Sequence, residues 1–305
     1  MSVPDCKRDR SYLTNLTGAK ERLEIFEADL NRPESFNAAI AGCIGVFHLA
    51  HPMDVEGKEP EETVTKRAVE GTLGILNACL NSKTVKRVVY TSSAVTAVFN
   101  DKGLSVADET TWSDLGVCWS NKIVSPNYLV SKTVVEKTAL EFAEKNGLDL
   151  VTMVLPLVVG PFICPSVPSS VYISLAMLFG DYHQYKHMVK LDLVHIDDVA
   201  SAHIYLLGCS NAKGRYICSS VDITIHEMFD FLKARYPEFQ ISLPNDLNET
   251  KLEKGCSLSS MKLLKAGFKF KYGLDEMVDE AVQCCKDKGI LSHSSNNTDT
   301  SEEKV

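Results

Sequence analysis

The chain has 305 residues, of which 45% are hydrophobic and 24% charged, and its formal net charge at pH 7 is −8. That balance fits one large globular domain or two interleaved ones, and it excludes collagen-like, coiled-coil and wholly disordered chains. The negative sign argues against a protein that holds nucleic acid by neutralising phosphates, and no apolar run approaches the roughly 20 residues that span a bilayer.

The N-terminal stretch is polar and basic with no apolar run behind it, so the reading is of a cytoplasmic chain without a secretory leader. Ten cysteines are scattered, mostly in apolar runs, and no C-x-x-C pair occurs. They read as reduced core thiols rather than a zinc cluster.

Residues 22–28 (RLEIFEA) alternate and predict a strand. Residues 33–41 predict a short helix with Pro33 in its first turn. The run 44–50 (IGVFHLA) predicts a buried strand. A long helix is expected over 61–81, with Val69, Leu73, Leu76 and Leu80 as its apolar stripe. Next come a strand at 87–91, a second long helix over 127–146 stopped by Gly147, and a third buried strand at 148–155. This β-α-β-α-β order predicts an α/β fold, a Rossmann-like doubly wound parallel sheet with helices on both faces.

After Pro156 the chain becomes richer in Pro, Ser and Gly. A strand and helix over 191–207, a strand at 215–219 and helices near 225–236 and 275–288 predict a smaller lobe interleaved with the sheet. Residues 292–305 are polar without aromatics and predict a disordered tail.

Ligands in open parallel sheets sit at the carboxyl ends of strands. The strand RVVYT ends in Thr91-Ser92-Ser93, and the helix after it carries Tyr128 and Lys132 on one face. A neighbouring ammonium favours a phenolate, so Lys132 is expected to make Tyr128 a better acid–base group at neutral pH. A serine at the strand end could hold a carbonyl oxygen while Tyr128 donates a proton, which suits ketone reduction by hydride from a nicotinamide. Tyr182 and Lys186 repeat the spacing without helical periodicity or strand-end serines, and read as a decoy.

The stretches KRDRSYLTNLTGA, EADLNRPESFNAAIAGCIGVFH, EPEETVTKR, NSKTVKRVVYTSSA, YLVSKT and HIDDVASAHIYLL cover much of residues 7–207, and GFKFKY with QCCKDKG extends towards 289. On these the chain resembles the plant branch of the extended short-chain dehydrogenase/reductases, the dihydroflavonol reductase-like family. Within it the likeness is to isoflavonoid ketone reductases of vestitone reductase type. The resemblance implies NADP(H) as cofactor and a small phenolic ketone as substrate; apart from it, a monomer is expected. It implies that Ser93, Tyr128 and Lys132 are catalytic, with Lys132 also holding the nicotinamide ribose. It puts Asp29 and Leu30 beside the adenine at a strand end, Leu49, Ala50, His51 and Thr91 along the cofactor, and Leu155, Val158 and Ser170 by the nicotinamide or pyrophosphate. Arg8 would meet the 2′-phosphate, favouring NADPH over NADH; without the resemblance it is a solvated charge in a charged run. The implied division gives residues 1–155 and 190–208 to the NADP-binding domain, and 156–189 and 209–291 to the substrate lobe.

Departures from the family pattern bear on this. No G-x-x-G-x-x-G turn occurs; Gly42 and Gly45 precede a strand, and Gly71 and Gly74 lie inside a helix. The expectation is therefore a chain lacking the family's first β-α-β unit, with the sheet opened at its middle and strand edges exposed. His51 replaces a small hydroxyl residue, and Val98 and Asp192 replace amides that grip a dihydroflavonol. Residues 124–128 (VSPNY) lack the cinnamoyl-CoA reductase pattern.

Other features take structural readings. Asp197 and Asp198 read as N-caps rather than, with His195 and His203, metal ligands, so no metal is expected. His48 reads as a core histidine, and Phe229, Leu232 and Tyr236 as core. Trp112 and Trp119 either border the substrate cleft or simply pack. Two functions follow: an NADPH-dependent reductase of an (iso)flavonoid ketone, or an inert fragment, from a truncated gene model or a decayed copy, without cofactor affinity. A dihydroflavonol 4-reductase and a sugar-nucleotide epimerase are further alternatives.

Overall fold

The computed structural model describes residues 9–52, 59–120, 125–241, 243 and 255–291. Its helices begin with the short turns α1 (Ser11–Thr14), α2 (Ala19–Arg22) and α3 (Asn37–Ile40). Then follow α4 (Glu61–Ser82), α5 (Leu115–Ser120), α6 (Pro126–Asn146), α7 (Ser169–Ser174), α8 (Ile196–Gly208), α9 (Ile225–Arg235), α10 (Met261–Lys265) and α11 (Leu274–Asp287). The strands are β1 (Gly45–His48), β2 (Arg87–Ser93), β3 (Val106–Ala107), β4 (Leu150–Leu155), β5 (Leu157–Val159), β6 (Lys190–His195), β7 (Gly214–Ile217), β8 (Val221–Thr224) and β9 (Ser257–Leu258).

The main sheet has four parallel strands in the order β1-β2-β4-β7. Its period-2 alternation feeds two cores. Val88 and Tyr90 of β2 pack with Ala68, Ile75 and Leu76 of α4 and Val135 and Ala139 of α6. Val89 packs on the opposite face with Val199, Ala202 and Leu206 of α8. Helices thus cover both faces of a parallel Rossmann-type sheet. The α6 helix starts with Pro126 in its first turn and ends at Gly147, whose φ of 68° is the left-handed cap that glycine adopts without strain.

Five expectations change. Residues 23–28 form no strand: Leu23, Ile25 and Phe26 are exposed, and among the described residues nothing pairs with them. Alternation favours a strand only where a neighbour supplies the ladder. The sheet is also not open at its middle, since β1 pairs directly with β2. Among the described residues no strand pairs with the outer edge of β1, and Ile44 and Leu49, which flank it, are 69% and 59% exposed, so this segment is less buried than its composition implies. The buried stripe of α4 runs through Val64, Ala68, Ile75, Leu76 and Cys79, rotated from the stripe expected. Finally, two segments change places between the lobes. Gly214–Ile217 lies in the main sheet beside β4, and Lys190–His195 lies between β5 and β8 in a second, three-stranded sheet.

That second sheet packs with α7, α9 and α11 around Leu175, Leu193, Met228, Leu232 and Met277. Among the described residues the nine cysteines are free, and no helix is long and apolar enough to cross a membrane.

Candidate active site

The carboxyl end of β2 delivers Ser93 to a cavity of about 840 Å³. The first turns of α6 bring Tyr128 and Ser131 to the same wall, Leu155 arrives from the end of β4, and Ser170 from α7. His51, Val98 and Asp192 also line the space. The register that pairs Ser93 with Leu155 brings those two strand ends level.

The Ser93 hydroxyl and the Tyr128 phenol meet on the cavity wall, where the serine favours the phenolate. The phenol's pKa is nevertheless raised, because burial penalises the phenolate more than the serine favours it. This corrects the expectation that Lys132 lowers it. The Lys132 ammonium turns to the sheet instead, donating to the Thr91 carbonyl at 3.3 Å and lying 5.7 Å from the Tyr90 ring centre. Lys132 is only 6% exposed, and burial lowers its pKa to about 8 against the opposing pull of Glu136.

His51 edges onto the Tyr128 ring, centres 6.0 Å apart, and its Nε2 lies 3.3 Å from Ser131 Oγ. Its Nδ1 is buried without a partner. Burial, with Lys132 and His48 nearby, lowers the imidazole to about 3, so it is neutral at physiological pH. His48 sits in the core against Thr72, at 3.3 Å, and Tyr90.

The other expected residues divide. Thr91 offers its carbonyl to Lys132, while its side chain reaches His203 on the opposite face at 2.8 Å. Val158 is half-buried against the α8-side core. Leu49 and Ala50 are exposed beyond β1 and do not line the cavity. Asp29 closes a tight turn, taking the Asn31 N–H at 2.9 Å, rather than standing at a strand end. Leu30 lines a separate groove of about 710 Å³ along α4. Arg8, like the tail 292–305, lies outside the described residues.

The glycines of α4 are spent on packing. A Cβ at Gly71 would meet Leu30 at 3.1 Å, and one at Gly74 would meet Pro33 at 2.2 Å. Neither faces a phosphate cradle. The residues gathered here fit the nicotinamide and ribose end of a dinucleotide, and no glycine-rich turn for its pyrophosphate occurs among the described residues.

Several side roles resolve too. The N-cap of α8 is His195, whose Nδ1 accepts the Asp197 N–H at 3.1 Å. Asp198 is not a cap; it is fully buried and takes the N–H groups of Lys271 and Tyr272. Trp112 packs, with the Arg215 guanidinium 3.7 Å from its ring centre, and half-exposed Trp119 does not line the cavity. Tyr182 begins a single 3₁₀ turn, so no helix face joins it to Lys186. Sequence reasoning missed Ser131, which sits beside Lys132, and the buried Glu136, whose spacing four residues after Lys132 was the available signal.

The model of the NAD dependent epimerase/dehydratase family matches residues 7–218. The chain belongs to that family, whose enzymes include NAD(P)-dependent oxidoreductases of CH–OH and C=O groups. It is 51% identical to vestitone reductase of Medicago sativa over 288 residues, 94% of this chain and 88% of that one. The solved alfalfa vestitone reductase superposes with a TM-score of 0.84 at 50% identity, covering 93% and 89% of the two chains. Protein BRI1-5 ENHANCED 1 of Arabidopsis thaliana is 56% identical over 291 residues, 93% of this chain and 79% of its own length. Yeast methylglyoxal/isovaleraldehyde reductase Gre2, solved with NADPH, superposes at 0.72 with 25% identity over 93% of this chain and 91% of its own.

Proposed function

We propose that this protein is an NADPH-dependent reductase of a flavonoid-type ketone, like vestitone reductase. The observation that carries the reading is the meeting of Ser93 and Tyr128 on the wall of a large cavity, with Lys132 buried one helical turn further on. Ser93 Oγ–H donates to the substrate carbonyl oxygen, and Tyr128 passes its phenolic proton to that oxygen as it becomes an alcohol. The raised phenol pKa keeps Tyr128 protonated, and therefore able to donate, at neutral pH. A reduced nicotinamide, when bound, supplies the hydride to the carbonyl carbon. Lys132 would hold the ribose hydroxyls, with Thr91 fixing the ammonium, while His51, Leu155 and Ser170 would border the ring. The cavity walls from Val95, Val98, Phe99 and Ile173 suit an aromatic ketone, and Asp192 offers a hydroxyl-binding carboxylate.

A second reading, a chain without cofactor affinity, draws on Gly71 and Gly74 being packed against Leu30 and Pro33. Titrating the chain with NADPH while following nicotinamide fluorescence separates the two. Saturable binding followed by NADPH oxidation with an isoflavanone supports the reductase, and absence of both sinks it. We further read the protein as a cytosolic monomer with no nucleic-acid partner, in keeping with its net charge of −8. Light scattering tests the monomer, and the edge of β1, unpaired among the described residues, is the feature most able to overturn it.

A further inference from the structure

Helix α6 carries a second charged residue as deeply buried as any in the protein. Glu136 has no exposed surface, and it stands four residues, about one turn, after Lys132. Four groups converge on its carboxylate. Ser92 Oγ of β2 donates to Oε2 at 2.6 Å, and Thr152 Oγ1 of β4 donates to Oε1 at 2.6 Å. Arg215 of β7 donates through Nε to Oε1 at 3.0 Å and through a terminal nitrogen to Oε2 at 3.4 Å. Arg215 is itself 5% exposed and fully engaged. It also donates to Thr96 Oγ1 at 2.8 Å, to the Thr111 carbonyl at 2.6 Å, and covers the Trp112 ring. One carboxylate therefore joins α6 to three adjacent strands of the main sheet.

The location ties this cluster to the site. Ser92 immediately precedes Ser93, and Lys132 donates to the carbonyl of Thr91 just before it. Consecutive residues of β2 are thus held by consecutive turns of α6. Thr96, which Arg215 grips, follows Ser93 in the turn leaving the strand. We infer that Glu136 is a positioning residue: it is the buried counter-charge that keeps Lys132 an ammonium, and it fixes the separation of α6 from the end of β2, with Arg215 holding Glu136 in place. The inference rests on the functional reading above for its catalytic consequence, but not for its electrostatic one.

The neighbouring groups cannot supply that charge, and Arg215, paired with Glu136 at 3.0 Å, is itself a cation. Tyr90 on β2 presents a ring and a phenol held neutral by burial. His48 on β1 and His51 after it are imidazoles lowered to about 4 and about 3, hence neutral. Tyr128, on the same helix, is a protonated phenol. Glu136 is the anion acting on Lys132, and it opposes the desolvation that lowers the ammonium to about 8.

The test compares wild type with Glu136→Gln and Glu136→Asp, each checked for folding by thermal melt. Lys132 is titrated by NMR of the chain carrying ¹³Cε-labelled lysine, its signal assigned by loss in Lys132→Met. The pH profile of NADPH-dependent ketone reduction is measured alongside. Glu136→Gln keeps shape and removes the charge, leaving Lys132 and Arg215 as two buried cations without a carboxylate between them, so the Lys132 midpoint should fall by about one pH unit or more, roughly a tenfold change in the ammonium equilibrium. The alkaline limb of kcat/KM should move down with it, and Glu136→Asp should return both towards wild type. A folded Glu136→Gln whose Lys132 midpoint stays within about 0.3 of a pH unit of wild type overturns the inference. If the glutamine variant does not fold, Glu136→Asp decides: its retracted carboxylate should lower the midpoint by a smaller amount, and an unmoved midpoint refutes the role. If the wild-type chain reduces no ketone and binds no NADPH, the functional reading fails while the lysine titration still returns its own answer.

Discussion

Replacing Lys132 with methionine should stabilise the protein at neutral pH while abolishing ketone reduction. Burial lowers the ammonium from 10.5 to about 8 in the folded chain. That fall corresponds to about 3 kcal/mol of cost for holding the cation at 6% exposure. The sign follows from the protons. Between about 8 and 10.5 the unfolded chain keeps a proton that the folded chain has released, so stability rises with pH across that window. Below it the full cost is carried. Methionine removes the charge and keeps most of the volume, but it leaves the Thr91 carbonyl without the donor now at 3.3 Å, a loss of about 1 kcal/mol. The net gain expected at pH 7 is therefore about 2 kcal/mol. Urea unfolding of both proteins at pH 7, 8, 9 and 10 reads it directly. Other groups titrating in that range cancel in the difference between them. The advantage of Lys132→Met should shrink steadily from pH 8 upward. A variant less stable than wild type at pH 7, or a difference that is flat with pH, would refute the reasoning.

Tyr128→Phe and Ser93→Ala should each lower kcat for ketone reduction by about 100-fold or more with unchanged melting; a small change in either shows that the proton or the oxygen is handled elsewhere. Asp192 is raised to about 6, first by burial and against the pull of Lys190, so its carboxylate is a full acceptor only above that pH. KM for a phenolic ketone should fall as pH rises through 6, and Asp192→Asn should flatten that dependence; an asparagine variant that keeps the bend removes Asp192 from substrate recognition. Gly74→Ala, ordinarily worth about 1 kcal/mol of added helix stability, should instead destabilise by about 1–3 kcal/mol because its Cβ would meet Pro33 at 2.2 Å. Urea midpoints measure it, and a stabilised variant would free Gly74 from its packing role.

What was readable in the sequence depended on range. Ser93, Tyr128 and Lys132 were legible because a strand end followed by hydroxyls and an i, i+4 pair on a helix are both local patterns. The pairing of Lys132 was not, since its partner carbonyl lies 41 residues away on β2 and no spacing rule prefers that over the phenol one turn back. Residues 22–28 carry a strand's alternation, yet alternation cannot say whether a neighbour exists. Arg215 and Glu136 stand 79 residues apart, so their ion pair emerges only when β7 docks beside β4. Asp198 looked like a cap from its place at a helix start, but its carboxylate is taken by backbone N–H groups 73 and 74 residues on.

The same geometry separates two halves of the function. Ser93, Tyr128 and Lys132 come from β2 and α6, and the polar ties beneath them run through Glu136 to β4 and β7, all within contiguous, buried sheet. Among the residues of this group only His51 descends from the β1 side, an edge that no other described strand covers. Asp29 and Leu30, which the family resemblance puts beside the adenine, lie apart from this group: Asp29 in a tight turn, and Leu30 packed on Gly71 in a separate groove. On the proposed function, proton-transfer geometry would depend on the core, and dinucleotide affinity on the periphery. A change at the β1 edge should alter how tightly NADPH is held without moving the Lys132 midpoint, whereas a change at Glu136 should move the midpoint first, so the two losses can be told apart in one protein.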